Sequence, residues 1–120
     1  MADRLLFVGW GTPVPGREER ALEVFNETVG LYGRMQQDGR IESFNVTLLS
    51  ANSALNGYIE LHGSSAQMAG LHEDEEFMRG IADASMIVAD LNVLNGFANE
   101  GVAKQMGIFA EAAARVPQLA

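Results

Sequence analysis

The chain has no cysteine in its 120 residues. That excludes disulfides, thiolate nucleophiles and Cys-ligated zinc or iron–sulfur centres. It fits a reducing compartment. Positive charge is scarce: 8 Lys and Arg stand against 16 acids, for a net charge of −8. Nucleic-acid surfaces need clustered cations to displace counterions, and anionic membranes attract the same groups, so the expectation is no nucleic acid and no membrane among the partners. No apolar run approaches the ~20 residues that span a bilayer. The N-terminal stretch has an acid at Asp3 and only a short apolar run, unlike a signal peptide, and the expected location is cytoplasmic. Histidine occurs twice and tryptophan once. Neither an H-x-x-E-H nor an H-E-x-x-H spacing occurs, so no metal site and no metal cofactor is expected. Gly9-Trp10-Gly11 lacks the third glycine of a dinucleotide fingerprint and does not open a helix, so no nucleotide cofactor is expected either.

What is present is an ordinary globular composition, 48% hydrophobic and 20% charged, in one domain over 1–120. The segment 56–63, NGYIELHG, alternates strictly. Ile59 and Leu61 point to one side of a strand; Tyr58, Glu60 and His62 point to the other. The stretch 4–11 is apolar at both parities, Leu5 and Phe7 against Leu6, Val8 and Trp10, as a strand covered on both faces would be. A Pro- and Gly-rich break at 12–16 precedes a helix over about 17–37. Its stripe is Ala21, Leu22, Val24, Phe25, Thr28, Val29, Tyr32 and Met35. A second strand is predicted over 41–50, with Phe44, Val46 and Leu48 opposite Asn45 and Thr47. Gly63-Ser64-Ser65 ends the third strand and offers helix caps. A short helical turn follows through Met68 and Leu71, then a helix opening on the acids at 73–76. A fourth strand is predicted over 89–97 and a last helix over about 102–115, with Val102, Met106, Phe109 and Ala113 on one face.

The order β-α-β-β-α-β plus a terminal helix is the split βαβ plan: an α+β, ferredoxin-like domain with a four-stranded antiparallel sheet. Right-handed crossovers put both main helices on one sheet face, leaving the other for water or a partner. With Ile59 and Leu61 under the helices, the open face would carry Tyr58, Glu60 and His62. Asn45 and Thr47, Asn92, and Val8 with Trp10 are the expected neighbours from the other strands. His62 is the candidate acid/base, with Glu60 as its partner. Trp10, Asn45, Tyr58 and Asn92 are candidate substrate contacts. His72, before the acidic run, reads as a cap or solvated turn.

The strand and helix order, the G-S-S-A opening of the second helical unit, the L-H-E-D-E-E-F motif at Leu71–Phe77 and the terminal helix together resemble the dimeric α/β-barrel superfamily, in its antibiotic biosynthesis monooxygenase-like form. The resemblance implies a homodimer whose sheets face each other, with the terminal helix at the dimer contact or closing one end of a pocket. That superfamily includes cofactor-free monooxygenases, haem-degrading enzymes and lactone isomerases. Those activities differ too much for the resemblance to choose one, and it leaves haem binding open; the first reading is a small enzyme without a bound organic cofactor, a cofactor-independent monooxygenase or relative acting on a hydrophobic molecule in a pocket between sheet and partner subunit. In the alternative, the polar face sets dimer register in a non-catalytic ligand-binding or assembly module.

Overall fold

The computed structural model describes residues 2–117 and 119. Its elements are β1 (Arg4–Trp10), α1 (Glu18–Gln37), β2 (Ser43–Leu48), β3 (Gly57–Gly63), α2 (Ser65–Leu71), α3 (Glu75–Ser85), β4 (Asn92–Phe97) and α4 (Glu100–Ala114). The strands form one antiparallel sheet in the order β2-β3-β1-β4. This is the ferredoxin-like α+β arrangement with one added C-terminal helix.

α1 begins with Glu18 and Glu19 in its first turn, where acids favour the positive end of the helix dipole. It ends beside Gly39, whose φ of 83° suits a residue without a Cβ. The second crossover is two helices rather than one. Ser64 caps α2 in a reciprocal box with Gln67. Asp74 caps α3 by accepting from the Phe77 amide at 3.1 Å, so the acidic run starts that helix at Glu75 and not at Glu73.

The fourth strand is shorter than the 89–97 predicted. The Ala89 amide donates to the Thr12 carbonyl, and Pro13 bridges to Val88, so this segment pairs with the chain leaving β1. Asp90, at φ 55°, then turns the chain into β4.

The core lies between the sheet and the helices. Leu6, Val8, Ile59 and Leu61 from the central strands meet Leu31, Tyr32 and Met35 of α1, Met68 and Leu71 of α2 and Phe77 of α3. Among the described residues no helix contributes to a core on the opposite sheet face. α4 leaves β4 and packs against little else; Gly101 is its only buried residue.

Candidate functional site

The pairing register assigns every strand residue to a face. Leu6 faces Leu61 and Asn95, Val8 faces Ile59 and Val93, and Trp10 faces Gly57, all on the helix-covered side. On the open side, Leu5 stands beside His62 and Gly96, Phe7 beside Glu60 and Leu94, and Gly9 beside Tyr58 and Asn92. β2 adds Ser43, Asn45 and Thr47 opposite His62, Glu60 and Tyr58.

Asn45, Tyr58, Glu60, His62 and Asn92 therefore share the open face, and Trp10 does not. The expectation that Trp10 and Val8 join that wall is corrected: both lie under the helices. A strand apolar at both parities gives no clue to which parity is inward. Its neighbours decide, because Val8 and Ile59 are paired and Ile59 is buried.

On the open face the His62 Nε2 lies 3.6 Å from Glu60 Oε1, beyond hydrogen-bond reach. That nitrogen is buried and has no hydrogen-bond partner among the described residues. Phe7 folds over the space left by Gly9 and stacks on Tyr58 with ring centroids 5.1 Å apart; a Cβ on Gly9 would sit 2.5 Å from the Phe7 ring. The result is a half-polar, half-apolar surface with Leu94 more than half exposed.

The helix side holds a cavity of about 350 Å³ between α1, α3 and the sheet. α1 contributes one face at helical spacing: Ala21, Val24, Phe25, Thr28 and Tyr32. Val8, Trp10 and Ile59 form the sheet wall, and Ile81, Ala84 and Ile87 close the side toward α3. Trp10 meets Phe25 edge-on, with centroids 5.9 Å apart. It lies across β3 because its partner there is Gly57, where a Cβ would come within 2.6 Å of the indole. Glu18 is the one carboxylate among the lining residues, and none is Lys, Arg or His.

Tyr32 is 2% exposed. Burial pushes its phenol well above the ordinary tyrosine range. Its ring is held between Phe44, edge-on at 6.0 Å, and Phe77, stacked at 6.1 Å.

Sequence reasoning placed Phe25, Thr28 and Tyr32 in a core stripe and missed the cavity. The available signal was a threonine and a tyrosine one turn apart within an otherwise apolar stripe. The two histidines lie apart: His72, at the end of α2, approaches Asn95 Oδ1 at 3.3 Å on the helix side. Among the described residues no group of three His, Asp or Glu is placed to hold a metal ion. No helix there is long and apolar enough to cross a membrane.

No protein-family profile matches the chain, and no curated protein matches it. Among solved structures the chain is similar to the crystal structure of SnoaB, a cofactor-independent oxygenase from Streptomyces nogalater. Identity is 18%, the TM-score is 0.49, and the match covers 82% of this chain and 93% of that one. A likeness this distant transfers no residue role.

Proposed function

We propose that the protein binds an uncharged hydrophobic small molecule in the cavity between α1, α3 and the sheet, and acts on it as a cofactor-independent monooxygenase-like enzyme. The cavity carries this reading: about 350 Å³, lined almost throughout by apolar side chains, with an indole as one wall. That size and lining suit a ligand of two or three rings. The oxygenase chemistry is what the sequence resemblance implies. In it the substrate loses a proton from an activated CH₂, its carbanion supplies electrons to O₂, one oxygen atom stays as a carbonyl and the other leaves as water. Glu18 is the carboxylate that the cavity offers as base. His62 and Glu60 sit across the sheet and, on this reading, take no part.

The test uses anthrone, whose ring CH₂ gives a stabilised carbanion, with oxygen uptake and quinone formation as readouts. Wild type is expected to turn over. Ala84→Leu, which fills the cavity, and Glu18→Gln are each expected to lose at least tenfold, while His62→Ala retains activity. Loss in His62→Ala with retention in Ala84→Leu would move the chemistry to the open face. No turnover by wild type would leave a binding module.

A second reading concerns that open face. The exposed Leu94 favours its being covered by a second copy of the chain, sheet against sheet, with Asn45, Glu60 and His62 setting the register.

A further inference from the structure

We infer that Tyr32 selects the ligand of this cavity, by donating a hydrogen bond to an acceptor oxygen on an otherwise apolar ring system. The inference rests on the proposal that the cavity is the binding site, and it names the group that would give that site specificity. Buried tyrosine hydroxyls ordinarily find a partner. The immediate ring neighbours of Tyr32 are Phe44 and Phe77, which fix the side chain and supply no acceptor. Burial alone accounts for its raised pKa, with no hydrogen bond contributing. The phenol therefore stays protonated, a donor, throughout the working pH range. Thr28, one turn earlier on the same cavity wall, is a different case, because a helical threonine can return its hydroxyl bond to the preceding turn of its own helix. A tyrosine cannot reach that far back. The lining also lacks any cationic side chain, so nothing in it would offset the burial of an anionic ligand. The polar feature that the site recognises is thus a neutral acceptor.

The matched probes are 9-fluorenone and fluorene, two rigid tricyclic compounds that differ by a carbonyl against a CH₂. The single tryptophan, Trp10, lines the cavity, so quenching of its fluorescence reports occupancy directly. Wild type is expected to bind fluorenone about tenfold more tightly than fluorene, the discrimination one added neutral hydrogen bond gives. Tyr32→Phe keeps the ring between Phe44 and Phe77 and is expected to erase that preference. Its fluorene affinity and thermal midpoint should stay at the wild-type values. Equal binding of the two probes by wild type, or a preference that survives in Tyr32→Phe, overturns the role of Tyr32 and leaves the cavity reading standing. Failure of both probes to quench Trp10 overturns both. The wild-type comparison needs no variant, so the inference stays testable even if Tyr32→Phe folds poorly.

Discussion

Gly57 is where one missing atom shapes the site. It pairs with Trp10, and the indole lies across it; the same position faces the Thr47 carbonyl, 3.0 Å from where a Cβ would stand. One neighbour is a bulky ring wedged against Phe25 and the other is backbone, so neither moves freely. Gly57→Ala is expected to destabilise the fold by about 1–3 kcal/mol, the usual cost of overpacking. It should also shift the Trp10 emission, because the ring must tilt toward or away from the cavity. Denaturant unfolding followed by Trp10 fluorescence measures both; an unchanged spectrum with unchanged stability would show that the indole does not rest on Gly57. In the sequence, position 57 is legible only as part of the alternating segment 56–63. Nothing in one chain says which residue will stand across a strand from a glycine. The same gap explains the misplacement of Trp10: alternation at Tyr58, Glu60 and His62 settled the faces of β3, whereas β1 is oily on both sides and took its orientation from its partners.

At the scale of elements, the α1–β2 turn is tied to the start of α3 by one guanidinium. Arg40 reaches Asp38 at 2.9 Å and both Asp74 and Glu76 at 3.0 Å. Its hydrogen bond lowers the pKa of Asp38. Burial pushes the Asp74 carboxyl up, but the Phe77 amide and Arg40 together outweigh it and hold the group below its ordinary value. Carboxylates with depressed folded-state pKa values contribute stability that is complete above their unfolded values, ~4, and is lost as pH falls through the folded ones. Arg40→Met is therefore expected to lower the melting temperature by several degrees at pH 7. The gap from wild type should narrow as pH falls through the depressed folded-state values of Asp38 and Asp74, where wild type loses these ion pairs. A gap that stays constant across pH would mean Arg40 acts through packing alone. The strands and both long helices were legible to within a few residues, because periodicity, caps and glycines agreed locally. The ends that moved, at Ala89 and Glu73, are those set by long-range pairing with Thr12 or by a cap chosen from several adjacent acids.

At the scale of the whole molecule, the shape is too long for its mass. The radius of gyration is 16.9 Å and the extents are 54 × 38 × 23 Å, whereas a compact chain of this length comes to about 14 Å. The excess fits α4, 15 residues that pack against β4 and little else while exposing Val102, Met106 and Phe109 at helical spacing. One such stripe falls short of the ~800 Å² per partner that a stable interface buries. The open sheet face supplies more through Leu5, Phe7, Tyr58 and Leu94, and β4, which carries Leu94, runs directly into α4. On the dimer proposal, the two surfaces, adjoining where β4 runs into α4, would take one occupant, a second copy, joined by the two-fold symmetry commonest among small oligomers. Light scattering across a concentration range is expected to give a mass near twice 12.9 kDa for wild type. The double substitution Met106→Glu, Phe109→Glu should weaken association at least tenfold. Its thermal midpoint, measured at concentrations where wild type has also dissociated, should match wild type, since these side chains touch so little within the protomer. A wild-type monomer at every concentration would leave the Tyr58–Glu60–His62 wall in water and remove dimer register as its purpose. The cavity under α1 would be untouched by that result, because its lining comes entirely from one chain.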